Sequence, residues 1–125
     1  MRLLLDTQIY LWYLADSRKL TKQAREEIAS ADEVFVSAAS IWEAAIKAGI
    51  GKLTVAMLDL VSGISASGFV ELPVWAAHAV RVTTLPHHHR DPFDRLLVAQ
   101  ALHEPLRLLT ADAVLARYSD VVVLI

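Results

Sequence analysis

The chain has 125 residues, with 14 acidic side chains against 12 Lys and Arg, a formal net charge of −2. That length makes one domain, residues 1–125, with enough chain for a sizeable core. The charge argues against a protein that holds nucleic acid by bulk positive potential, though not against one that meets phosphates through bound cations. Cysteine is absent, which excludes a disulfide framework and a thiolate metal site and suits a reducing cytoplasm. No apolar run reaches membrane-spanning length, and Met1 to Asp6 meets an acid too early for a signal peptide. Hydrophobic residues make up 55% of the chain, a surplus that suits a protein interface as well as a core.

Arg2-Leu3-Leu4-Leu5 reads as a short buried parallel strand that stops at Asp6. Ile9 to Leu14 follows as an amphipathic helix, broken at Asp16-Ser17, and Thr21 opens a second helix through Ala29. Glu33 to Ser37 is a second strand. A third helix opens at Ser40-Ile41-Trp42-Glu43 and ends near Ala48-Gly49. Ser40 and Glu43 fit a capping box; if the helix begins at Ser37 instead, Glu43 lies two turns in and the box dissolves. Both readings stay open on the sequence. Gly51-Lys52-Leu53 is a turn, Val55 to Ile64 a fourth helix, and Phe69 to Leu72 a third strand ended by Pro73. Trp75 to Val82 is a fifth helix, and Leu85 to Arg90 an irregular link.

The next stretch carries the strongest local signal. Asp91 can cap a helix, Pro92 suits its first position, and Phe93, Leu96, Leu97 and Ala101 make an apolar face. Asp94 falls in the first turn, where the helix dipole favours a negative charge. After a turn at Glu104-Pro105 come a fourth strand, Arg107 to Thr110, a short helix after Ala111 to Leu115, and a closing strand, Val121 to Leu124. No internal repeat, low-complexity segment or linker interrupts the series. Short apolar strands alternating with helices imply an α/β fold, a three-layer α/β/α sandwich around a central parallel sheet.

Four acids share one feature of this layout. Asp6 ends strand one, Glu43 lies in the helix after strand two, Asp94 opens the helix before strand four, and Asp112 sits just past strand four. Strand ends and adjoining helix mouths gather along one rim of a parallel sheet. Each acid has a plainer role open to it: Asp6 a turn or cap, Glu43 the capping box, Asp94 the dipole, Asp112 a cap. Together, however, four carboxylates on one rim repel, and burial raises their pKa values. A hard divalent cation with oxygen ligands, Mg²⁺ or Mn²⁺, relieves that crowding. Two such ions about 4 Å apart can clamp the attacking and leaving oxygens of a phosphodiester.

Leu3 to Thr7, Ser37 to Lys47, His89 to Ala101 with its Asp-Pro-Phe-Asp-Arg block, and Leu109 to Asp112 together resemble a PIN domain, and more closely the VapC toxins of prokaryotic type II toxin–antitoxin systems. The segments span nearly the whole chain in the family's order. The resemblance implies a PIN-like, Rossmann-like fold and a Mg²⁺- or Mn²⁺-dependent endoribonuclease of the prokaryotic cytoplasm. It implies an RNA substrate, a VapB-type antitoxin as partner, and Asp6, Glu43, Asp94 and Asp112 as the metal-binding and catalytic acids. The apolar early helices would then supply an antitoxin groove and a homodimer face.

His87-His88-His89 reads as an exposed loop, since adjacent side chains point in different directions, though one His could touch phosphate or shape the site. Arg90 and Arg95 could steer RNA phosphates or pair with the acids. Lys47 and Lys52 are as open as these arginines, and Thr110 could orient a metal-bound water or a carboxylate, or bond to backbone. Tyr10, Trp12, Tyr13 and Trp42 could stack bases, line a partner groove or fill the core. Two rivals stand beside the nuclease: a catalytically inactive PIN-like protein-binding module, and a phosphotransfer enzyme with Asp6 as nucleophile. The second expects another Asp two residues on, where this chain has Gln8.

Overall fold

The structure is a computed structural model that describes residues 1–125. Its centre is a five-stranded, all-parallel sheet of β1 (Arg2–Leu5), β2 (Glu33–Ser37), β3 (Val70–Leu72), β4 (Arg107–Thr110) and β5 (Val122–Leu124). The strand order is β3-β2-β1-β4-β5. Helices α1 (Thr7–Leu14), α2 (Lys22–Ser30), α3 (Ala38–Gly49), α4 (Met57–Ala66), α5 (Ala76–Arg81) and α6 (Pro92–His103) make the crossovers. The expected three-layer α/β/α sandwich is the observed architecture.

Strand alternation divides the core into two layers. Leu3, Leu5, Val34, Val36 and Leu109 face one way, onto Ile9 and Tyr10 of α1, Ala24 and Ile28 of α2, and Leu60 and Ile64 of α4. Leu4 and Leu108 face the other way, onto Leu97, Val98 and Ala101 of α6. A strand covered on both faces has no polar alternation to show, which is why β1 reads as an unbroken Leu run. The Tyr10 hydroxyl satisfies itself in this core by donating to the Leu60 carbonyl at 2.6 Å.

Element ends differ from the sequence expectation by one to three residues. Helix α1 starts at Thr7, directly after the strand, and α4 is shifted to Met57–Ala66. The segment after Asp112 forms only a 3-10 turn, Leu115–Arg117. The α3 question is settled by its cap: Ser37 Oγ accepts from the Ala39 N–H at 3.0 Å, so the helix begins at Ala38. Ser40 is therefore inside the helix, where it accepts from Thr7 Oγ1 at 2.8 Å, and no capping box holds Glu43.

Register then fixes where chemistry can occur. Leu5 pairs with Val36 on one side and Leu109 on the other, so β1, β2 and β4 end level. Strands 1 to 3 are added outward from the centre in one direction, and the chain then crosses back to place β4 on the other side of β1. The gap at the carboxyl ends of β1 and β4 is the topological switch point, where open α/β sheets form a crevice.

Candidate metal centre

Asp6 leaves β1 at that crevice, with its N–H bonded to the Leu109 carbonyl at 3.0 Å. It occupies the N-cap position of α1, yet its side chain makes no cap bond. The carboxylate is instead 8% exposed and held by Thr110, whose Oγ1 donates to Oδ2 at 2.7 Å. Thr110 Oγ1 also accepts from the Asp112 N–H at 3.0 Å, so one hydroxyl at the end of β4 sets two of the acids.

Glu43 points inward from the second turn of α3 and is 6% exposed. Lys47 Nζ pairs with its Oε2 at 2.9 Å, while its buried Oε1 has no hydrogen-bond partner. Asp94 enters from the first turn of α6. Asp91 caps that helix as the sequence suggests, its Oδ1 accepting from the Phe93 and Asp94 N–H groups at 2.8 and 3.2 Å. Asp112 does two jobs: Oδ1 accepts from the Val114 N–H at 2.9 Å, and Oδ2 turns toward the crevice.

His89 departs from the exposed-loop expectation. Its Nδ1 accepts from the Asp91 N–H at 3.1 Å, which places the proton on Nε2. Nε2 then lies 3.2 Å from Asp94 Oδ2 and 3.1 Å from Asp112 Oδ2, bridging the two carboxylates. His87 and His88 stay outside, as side chains pointing in different directions must. The one available signal was a histidine two residues ahead of a capping Asp, close enough to accept that residue's N–H.

All four acids line one cleft of about 250 Å³, together with Asp91, and Lys47 is the cation on its wall. Asp94, Asp112 and His89 offer ligand atoms within 4.8 Å of one another; Asp6 and Glu43 complete the cleft outside that trio. The electrostatics reflect the crowding. Burial, reinforced by Asp6, Asp91 and Glu43, pushes the Asp94 carboxyl up to about 7, against a smaller downward pull from His89. Burial also raises Asp6, opposed by the Thr110 hydrogen bond and reinforced by Glu43 and Asp112. Lys47 is held above its ordinary value by its hydrogen bond to Glu43. An orphaned, buried carboxylate oxygen among other carboxylates calls for a cation, and an oxygen-dominated donor set fits Mg²⁺ or Mn²⁺.

The sequence matches the model of the PIN domain over residues 3–121. The chain belongs to the PIN-domain family. Its VapC character is shown by a relative: this PIN domain is 32% identical over 116 residues to Ribonuclease VapC22 of Mycobacterium tuberculosis, covering 87% of this chain and 85% of the relative. Solved structures share the fold at lower identity. VapBC2 from Rickettsia felis, bound to a DNA fragment from its promoter, superposes with TM-score 0.70 at 16% identity, covering 100% of this chain and 98% of that one. FitAcB from Neisseria gonorrhoeae gives 0.67 at 19% identity, covering 98% and 96%. A toxin–antitoxin complex from Klebsiella pneumoniae gives 0.66 at 21% identity, covering 96% and 94%.

The aromatic residues of the PIN domain divide by position. Tyr10 is core, and Tyr13 packs on Phe69 at 5.0 Å between ring centroids. Trp42 is 62% exposed and meets Phe93 edge-on at 5.2 Å. Trp42 and Phe93 are the chain neighbours of Glu43 and Asp94.

Proposed function

We propose that this PIN domain is a Mg²⁺- or Mn²⁺-dependent endoribonuclease, the toxin half of a VapBC-type module. The observation that carries the reading is the buried, unpartnered Glu43 Oε1 in a cleft shared with Asp6, Asp94 and Asp112. Asp6, Glu43 and Asp94 hold the ion, and Asp112 completes the site or holds a second. Bound there, the ion supplies positive charge for the phosphoryl oxygens and lowers the pKa of water beside it. Thr110 fixes the Asp6 carboxylate, His89 orients Asp94 and Asp112, and Lys47 fixes Glu43. The exposed Trp42, backed by the half-buried Phe93, offers a face for an unpaired base.

The partner side of the reading rests on the relatives, which include VapBC and other toxin–antitoxin complexes. A groove of about 480 Å³ runs between α1 and residues 53–60, lined by Leu11, Trp12, Leu14, Leu53, Val55 and Leu60. Gln8 borders both this groove and the acidic cleft. A VapB-type antitoxin segment lying in the groove therefore reaches the acids directly.

The test is cleavage of structured RNAs by pure protein in Mn²⁺ or EDTA, beside Asp6→Asn. Cutting is expected in Mn²⁺ alone, with a loss of about 100-fold or more in the variant. Cutting that persists in EDTA, or at full rate in Asp6→Asn, rejects the reading; no cutting at all favours the inactive binding module. Thr110→Val probes the support of the site, because it removes the donor to Asp6 at nearly constant volume. Mn²⁺ affinity at pH 7 is expected to fall about tenfold, as for other groups that position metal ligands. Without that donor Asp6 protonates more readily, so titration calorimetry should find the deficit smaller at pH 8 than at pH 6.

A further inference from the structure

Beside the acidic cleft lies a second cavity of opposite character. It measures about 500 Å³ and is lined by His87, His88, His89, Arg90 and Arg95, with no acid and no apolar residue. Arg95 is its unusual member. Only 8% of it is exposed, yet it pairs with no carboxylate. Its Nη1 donates to the Pro86 carbonyl at 2.8 Å and the Tyr118 hydroxyl at 3.2 Å, and its Nη2 to the Val82 carbonyl at 3.3 Å. A guanidinium carries five N–H donors, so the Nε–H and one Nη2–H keep no protein acceptor. A guanidinium stays charged at any physiological pH. Withdrawing such a charge from water is costly unless a counter-charge arrives. Asp94 precedes Arg95 in the chain but faces the other cavity, where His89 bridges it to Asp112.

The chain supplies no counter-charge, and the unpaired Nε–H is not sealed off, so it is open to a ligand in this cavity. The free edge of a guanidinium matches an oxyanion such as phosphate, and the imidazole N–H groups and Arg90 add donors around it. Position identifies the source. His89 lies on the wall of the basic cavity and also touches Asp94 and Asp112 of the acidic cleft. An anion in the basic cavity thus sits one residue's width from the place where a phosphodiester would be cut. We propose that His87, His88, Arg90 and Arg95 form a phosphate subsite that grips the RNA backbone next to the cleaved linkage. This rests on the reading of the acidic cleft as a ribonuclease centre. It also answers the net charge: the chain carries no bulk positive field, and one built anion site positions a strand that the field does not.

Two measurements on the full chain test it. In the first, metal-free protein is titrated with inorganic phosphate and followed by NMR. Shifts are expected at the His87, His88 and Arg90 amides and the Arg95 Nε–H, and about tenfold weaker binding in Arg90→Ala, an exposed position whose loss spares the fold. Shifts elsewhere, or none, overturn the subsite. In the second, short oligoribonucleotides with one neutral methylphosphonate at successive linkages are bound in EDTA. One linkage is expected to matter, costing about tenfold in affinity, and Arg90→Ala is expected to erase that dependence and reduce the salt slope by about 1. Arg95→Lys keeps the charge but loses the fork, and should reproduce the loss in part if it melts as the parent does. A uniform effect of every linkage overturns the subsite, as does phosphate binding with no linkage dependence, the result expected if the cavity serves an acidic protein segment. Cleavage of RNA by a protein whose basic cavity ignores phosphate sinks the subsite and leaves the nuclease. Phosphate binding without any cleavage sinks the nuclease and, with it, the assignment of the subsite to a cleaved linkage.

Discussion

Replacing Asp94 with asparagine is expected to stabilise the metal-free protein at pH 8 while removing RNA cleavage in Mn²⁺. The Asp94 carboxyl is raised from 3.8 to about 7, first by burial and then by Asp6, Asp91 and Glu43. Between those values the folded chain holds a proton that the unfolded chain has lost. The slope of unfolding free energy with pH is therefore negative, so stability falls as pH rises from about 4 to about 7 and stays low above. A shift of about 3 units is worth about 4 kcal/mol at 1.36 kcal/mol per unit, and that is a ceiling. Asparagine never ionises but is still a buried polar group, so a gain on the order of 2 kcal/mol is expected at pH 8. Well below 3.8 the difference should vanish, because aspartic acid is then neutral in both states. Urea unfolding in EDTA at about pH 3 and pH 8 measures both ends. Equal stability of parent and variant at pH 8 would show that the acids do not crowd Asp94. The opposite signs for stability and activity are the mark of a site strained for function.

How far the sequence alone could go depended on how local the cause was. The Leu run of β1, the Asp91 cap and Pro92 are determined by residues within a few positions, and each sits where the sequence placed it. The parallel order followed from alternation of strands and helices. The placement of the four acids on one rim needed only the rule that strand ends meet at a switch point. What remained hidden was set by contacts across the chain. Whether Ser37 or Ser40 capped α3 was undecidable locally, since both are good caps; the Thr7 hydroxyl that engages Ser40 comes from 33 residues away. The inward turn of His89 depends on Tyr118, whose hydroxyl receives the His89 N–H at 2.8 Å across 29 residues. On the sequence Arg95 could steer RNA phosphates or pair with the acids; its acceptors are the Val82 and Pro86 carbonyls and the Tyr118 hydroxyl, so no carboxylate of the chain pairs with it.

Saturating Mn²⁺ is expected to reverse the strain that the acids impose. Any ligand that binds only the folded chain stabilises it by RT ln(1 + [L]/Kd), about 2.7 kcal/mol at a hundredfold excess over Kd. Here the gain must depend on pH, because ligation requires Asp94 and Asp6 as carboxylates. Both are raised by burial, Asp94 to about 7. Below that value each binding event must expel a proton, and affinity is expected to weaken up to about tenfold per pH unit for each such proton. Thermal melts at pH 6 and pH 8 should therefore show a small Mn²⁺ shift at the lower pH and a large one at the higher, both abolished by EDTA. Calorimetry in two buffers of different ionisation enthalpy counts the protons directly, and a fraction of a proton or more released near pH 7 is expected. In Asp94→Asn the proton release should drop and the Mn²⁺ shift should nearly disappear, although that variant starts from the more stable metal-free state. If Mn²⁺ leaves the melting temperature of the parent unchanged at pH 8, the carboxylates share no ion. Their elevated pKa values would then be the cost of packing alone, relieved by protonation and by the His89 and Lys47 contacts already in place.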